Sequence, residues 1–187
     1  MYNKPPQRGI LAHYRAIADA VSLPIVVYNV PGRTASNIEA RTALELARVP
    51  GIVAIKEASG NLAQIGEIIR DRPAGFSVLS GDDAMTLAVM ALGGDGVISV
   101  TSNATPKLMT QLTNACRDGD LARARALHTT LDPWMRAAFV ESNPIPLKAA
   151  LAMMGKMQNQ VRLPLVPLAE AHATMIRQAL TAAGVSL

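Results

Sequence analysis

The 187-residue sequence predicts an α/β fold: about four βα units on a parallel sheet, then a region of helices only. Three observations carry this. Strand-like apolar runs begin at Ile25, Ile52, Phe76 and Val97, each followed by a helical pattern, which is the spacing of right-handed βα crossovers. Pro, Gly, Asn, Asp, Lys and Arg cluster just after these runs, at the strand ends that carry chemistry in βα barrels. After about residue 120 the strand pattern stops. A closed (β/α)8 barrel needs eight units and about 250 residues, so four units make half of one. The competing arrangement, an open nucleotide-binding sheet, usually carries a glycine fingerprint. Neither G-x-G-x-x-G nor a Walker A motif occurs.

Each element has a local reason. Gln7–Val21 is expected as a helix with Ile10, Leu11, Tyr14, Ile17, Ala18 and Val21 on one side, ended by Ser22-Leu23-Pro24. No strand precedes it, so the chain is expected to join the barrel part-way round. Ile25–Val30 reads as a strand closed by Pro31-Gly32. Ser36 and Asn37 suit the cap of a helix over about Ile38–Ala47. Pro50-Gly51 leads into a strand over Ile52–Ile55, and a helix over about Leu62–Arg70 follows. The third unit is Phe76–Leu79 with a helix over about Ala84–Leu92, and the fourth strand is Val97–Val100. Thr101–Pro106 leads to a helix ending near Asp118–Asp120. This portion, residues 1–120, is expected to be the partial barrel. Residues 121–187 are expected to be helical. They comprise Leu121–Phe139 with a bend or break at Asp132-Pro133, a turn at Asn143–Pro146 into Leu147–Met154, a connector over Val161–Pro167, and Glu170–Ala183 ended by Gly184.

Composition narrows the function. Half of the chain is hydrophobic but only 3% is aromatic, so the core must be aliphatic. The net charge of +4 is scattered rather than striped, which argues against a nucleic-acid partner, as does the scarcity of stacking rings. A single cysteine, Cys116, allows no internal disulfide and is expected to be a buried helix residue in a reducing compartment. No apolar stretch reaches the length of a membrane span, and the first residues lack the apolar segment of a signal peptide. A cytoplasmic protein without a membrane partner is the expectation. His13, His128 and His172 lie far apart, each in a helical segment, without metal-ligand spacing.

The chemistry centres on Gly51–Asn61, where an apolar run meets Lys56-Glu57-Ala-Ser-Gly60. The run reads as a strand buried on both faces, with Lys56 where it ends. Burial favours a neutral amine, which is a nucleophile towards ketones and aldehydes. The same pattern suits a lysine that snorkels to solvent. Tyr28 ends the preceding strand and offers a proton-transferring hydroxyl. Arg33, in the loop beyond it, offers a bidentate receptor for a carboxylate. On adjacent strands of a βα barrel, an amine, a phenol and a guanidinium at one end suit Schiff-base chemistry on a keto acid.

Tyr28-Asn-Val-Pro-Gly-Arg-Thr34, followed by Gly51-Ile-Val-Ala-Ile-Lys-Glu-Ala-Ser-Gly-Asn61, resembles the dihydrodipicolinate synthase family. Ser80–Asp83, Gly93–Val100 and Asn143–Pro146 extend the resemblance in order, across essentially the whole chain. It implies a class I pyruvate aldolase, related to N-acetylneuraminate lyase, with a (β/α)8 TIM barrel, a C-terminal helical region and usually a homotetramer built as a dimer of dimers. It implies no metal or cofactor beyond a covalent imine of pyruvate on Lys56. Tyr28 would relay protons, Arg33 would hold the carboxylate of aspartate semialdehyde, and Ile98 would line the site through its carbonyl. Tyr2 would reach a neighbouring subunit's relay, and Gly81 would lie by the pocket. The family's first four βα units and their paired threonines have no counterpart here. The chain is therefore expected to be the C-terminal half of such a barrel plus the helical region. Two other readings stand: a sister aldolase with another acceptor, and a non-catalytic fragment acting through association.

Overall fold

In the computed structural model, residues 3–187 are described, and Tyr2 lies outside them. The chain divides into two compact units, residues 1–98 and 99–187.

In the first unit, helix α1 (Gln7–Ala20) precedes strand β1 (Ile25–Asn29). Pro31 occupies the first position of a one-turn helix α2 (Pro31–Thr34), where the sequence suggested only a loop. Helix α3 (Ala40–Leu46) starts later than expected, because Ser36 and Asn37 do not cap it. The Asn37 side chain instead bonds Asn29 and Gln64. Strand β2 runs Ile52–Glu57, two residues past the expected end, so Lys56 lies inside it. Asn61 caps helix α4 (Leu62–Asp71) by accepting from Ala63 N at 3.1 Å and Gln64 N at 3.2 Å. Strand β3 is Ser77–Ser80, and a 3-10 turn at Asp83–Met85 leads into α5 (Thr86–Ala91). Strand β4 is only Gly96–Val97, not Val97–Val100. Beyond Ile98, whose N–H donates to Ser80 O, the backbone turns towards 3-10 geometry at Thr101–Asn103.

The strands form one parallel sheet in the order β1-β2-β3-β4. Sequential parallel order with a helix after each strand is the connectivity of a βα barrel wall. Between Ile25 and Val26 the β1–β2 register shifts: Ile25 pairs with Ile52, but Val26 pairs with Ala54, so Val53 is an extra residue. From there Tyr28 pairs with Lys56 and Asn29 with Glu57.

Side chains alternate across a strand, so each residue pair settles a face. Val27, Ile55 and Val78, each no more than 1% exposed, share one face. They join Ile10, Ile38, Leu46, Ile65, Ile68 and Val89 in a single core. The opposite face is open. Val26, Tyr28 and Val53 are 44%, 40% and 40% exposed, so the sheet is not buried on both faces as its apolar runs suggested.

The second unit is helical throughout its described elements. Pro106 starts α6 (Pro106–Arg117), and Asp120 caps α7 (Leu121–Ala137) through Arg123 N at 3.0 Å. Pro133 does not break α7, against expectation. An interior proline costs about 3 kcal/mol, and the packing around it offsets that. Leu131, Trp134 and Met135 are buried, and the Trp134 indole donates to Thr101 O at 3.2 Å. Helices α8 (Ile145–Met153) and α9 (Glu170–Ala182) complete the unit. Cys116 is half-buried rather than buried, and its surroundings push the thiol pKa up. No helix of the described residues is long and apolar enough to cross a membrane.

Candidate active site

Cross-strand pairing brings Tyr28 and Lys56 together on the open face. The Lys56 Nζ lies 4.2 Å from the centre of the Tyr28 ring. Lys56 is half-buried, between the sequestered amine and the solvated one that the sequence allowed. Among the described residues it forms no ion pair, so the amine is not neutralised by a carboxylate. On the third strand Leu79 stands in register with Lys56.

Gly81 closes one side of the lysine. Its N–H donates to Glu57 O at 2.7 Å, which draws the loop after β3 onto the end of β2. A Cβ at Gly81 would stand 2.8 Å from Ala58 Cβ and 3.1 Å from both Cγ and Cε of Lys56. Only glycine lets the loop approach the lysine stem this closely. Gly60, at φ +72°, turns the chain from β2 towards the Asn61 cap.

The other expected residues are less closely gathered. Arg33 is exposed on α2, just past the end of β1, and no hydrogen bond or ion pair joins it to Lys56 or Tyr28. Ile98 follows β4 and is 39% exposed. The expectation for Tyr2 concerns a position outside the described residues. A cavity of about 340 Å³ adjoins Tyr28 between α1, β1 and α2, with His13, Tyr14 and Thr34 in its wall. The histidines are separate: His13 stacks edge-on with Tyr14, and His172 pairs with Glu141 at 2.7 Å. Among the described residues no three His, Cys, Asp or Glu side chains gather as a metal-binding group.

Directly behind the Tyr28–Lys56 pair lies a second polar pair that the sequence reading did not single out. Asn29 and Glu57 are each 1% exposed, on the helix-covered face. The Asn29 amide donates to both Glu57 carboxylate oxygens at 3.1 Å. The carboxylate also accepts from Ser59 N at 2.8 Å and Gln64 Nε2 at 3.2 Å. The available signal was the adjacency itself: Tyr28-Asn29 and Lys56-Glu57 are two polar dipeptides at the ends of neighbouring strands, and strand alternation sends one member of each backwards.

Comparison with known proteins bears on this arrangement. The sequence matches the dihydrodipicolinate synthetase family over residues 1–183. It is 52% identical over 184 residues to the 4-hydroxy-tetrahydrodipicolinate synthase of Chlorobium limicola, covering 98% of this chain and 62% of that one. It is 50% identical to the protein of the same name from Koribacter versatilis, covering 98% and 61%. The crystal structure of dihydrodipicolinate synthase from Aquifex aeolicus matches with a TM-score of 0.96 at 41% identity, over 100% of this chain and 64% of that one. The Thermotoga maritima structure gives 0.95 at 44% identity, over 98% and 63%. The chain thus spans less than two thirds of the length of these relatives. Over that span it belongs to the dihydrodipicolinate synthetase family, and its parallel βα units and trailing helices correspond to a C-terminal portion of that family's TIM barrel.

Proposed function

We propose that this chain carries the imine-forming part of a 4-hydroxy-tetrahydrodipicolinate synthase. The observation that carries the reading is the Lys56 amine on the open sheet face, 4.2 Å from the Tyr28 ring and flanked by a glycine that leaves its stem room. The C-terminal ends of parallel strands are where βα barrels do their chemistry. Lys56 adds to the ketone of pyruvate, and loss of water gives the imine. The Tyr28 hydroxyl supplies and recovers the proton as the carbinol oxygen leaves. Loss of a methyl proton gives an enamine, whose carbon attacks the aldehyde of aspartate semialdehyde. The amino group of that substrate then closes the ring and releases Lys56, forming 4-hydroxy-tetrahydrodipicolinate. Arg33 receives the carboxylate of the semialdehyde, and the Ile98 carbonyl and Gly81 line the pocket. The covalent imine takes the place of a cofactor. Tyr2 serves a neighbouring subunit's proton relay in a cytoplasmic homotetramer of the lysine and diaminopimelate pathway. Residues 1–120 form the barrel portion, and 121–187 the helical region.

Incubation with pyruvate, reduction with borohydride and peptide mapping test this. A reduced adduct on Lys56, lost in Lys56→Ala, is expected. Labelling elsewhere, or none, sinks the assignment. Arg33→Ala should weaken use of the semialdehyde while imine formation persists, and equal loss of both would remove its role. A second reading, association with intact subunits without turnover, is favoured by the exposed sheet face around Val26 and Val53. Co-purification with full-length subunits and no adduct would select it.

A further inference from the structure

The buried polar pair behind the site does something that an apolar pair would not. One layer further down the same face, Val27, Ile55 and Val78 fill the core well. At the strand ends the chain instead buries a carboxylate with no cation beside it among the described residues, an arrangement that is costly unless every acceptor is met. Here the acceptors are met. Asn29 donates to both oxygens, and Ser59 N and Gln64 Nε2 supply one further bond each. The network then spreads. Asn29 Oδ1 accepts from Ile38 N at 2.9 Å, Asn29 Nδ2 also reaches Asn37 Oδ1 at 2.9 Å, and Asn37 Nδ2 donates to Gln64 Oε1 at 2.8 Å. Four segments are tied to one carboxylate: the end of β1, the end of β2, the 36–38 loop beyond Arg33, and the turn into α4. Apolar contacts carry no direction, whereas a network of directed bonds fixes one arrangement.

We infer that Glu57, acting through Asn29, is a positioning residue for the Lys56 chemistry. It locks the ends of β1 and β2 so that Tyr28 and Lys56, the alternate residues on the opposite face, stay opposed. The inference rests on the reading of Lys56 as the imine-forming amine, and its test has one arm independent of that reading. Glu57→Gln keeps the volume but places an amide nitrogen among three donors. Gln64→Leu removes one donor to the carboxylate, together with the acceptor of Asn37 Nδ2, from the rim of the network. Ile68→Ala, under the same sheet and outside the network, is the control for general destabilisation.

In the first arm, borohydride trapping of pyruvate on the 187-residue chain is followed over time and over pyruvate concentration. Glu57→Gln should slow the saturated rate about tenfold through lost alignment, with half-saturation little changed. Gln64→Leu should slow it about threefold, and Ile68→Ala should leave it alone while the chain is folded. In the second arm, competitive acetylation compares Lys56 with the exposed Lys107. Glu57→Gln should move the reactivity of Lys56 towards that of Lys107, and Ile68→Ala should not. A folded Glu57→Gln with the trapping rate and Lys56 reactivity of the parent overturns the inference, as does an Ile68→Ala loss as large as that of Glu57→Gln. If Glu57→Gln does not fold, an unchanged Gln64→Leu overturns it. If the parent chain forms no adduct, the function assigned to Lys56 fails, and the acetylation arm alone decides whether Glu57 positions that lysine.

Discussion

The two faces of one sheet have opposite characters. Behind it, Val27, Ile55 and Val78 are sealed under helices, and the buried Asn29 and Glu57 there bond each other. In front, Val26, Tyr28 and Val53 remain about two fifths exposed, and Lys56 stands beside a ring with no ion partner among the described residues. The same strands supply both faces, residue by residue. Stability is therefore concentrated on one side and reactivity on the other, so a substitution should betray its face by what it changes.

The largest expected effect falls on the covered face. Ile55→Ala should cost about 2–5 kcal/mol in urea unfolding, while Val53→Ala, two positions away and open, should stay within about 0.5 kcal/mol. Similar values for the two would break the contrast. Gly81→Ala comes next and acts on the open face: its Cβ would crowd Ala58 and the Lys56 stem, at about 1–3 kcal/mol. Adduct formation should fall with it, and an unaffected adduct would show that the lysine does not need that clearance. Asn61→Ala removes the cap of α4 and should cost about 0.5–2 kcal/mol, with little effect on trapping.

The smallest effect contrasts two carboxylates. Glu57 is held by neutral amides, whereas Glu141 accepts from Ala169 N at 3.0 Å and pairs with the titratable His172. The Ala169 N–H first, and His172 second, hold the Glu141 carboxyl below its usual range. A depressed folded pKa gives stability above the unfolded value that is lost as pH falls through the folded one. Below about pH 4.3, the ordinary glutamate value, Glu141→Gln should therefore flatten the acid limb of a melting-temperature profile. An unchanged limb would assign that limb to other groups.

Much of this was legible in the sequence. The order of strands and helices, Lys56, Tyr28 and the wall around them follow from apolar runs punctuated by Gly and Pro. What escaped was long-range. The break allowed at Pro133 does not form because the burial of Trp134 and its neighbours outweighs a local preference. Asn37 looked like a helix cap, but a partner 27 residues away, Gln64, claims its side chain. The apolar runs suggested strands covered on both sides, and hydrophobic pattern alone does not say whether a covering element is there. Glu57 was read as part of a motif, yet its role becomes visible only once register sets it against Asn29.

That register has a consequence for how the sequence can change length. Val53 is one residue more than β1 can match, and if it were drawn into the ladder Ile55, not Lys56, would face Tyr28. A residue gained or lost around the exposed Arg48 would be absorbed by a loop. A residue gained between Ala54 and Lys56 would leave every side chain's identity intact and still turn the amine to the wrong neighbour. Inserting an alanine between Ala54 and Ile55 should abolish pyruvate trapping, whereas deleting Val53, which keeps Tyr28 opposite Lys56, should spare it, so spacing, as much as composition, is a condition of the chemistry.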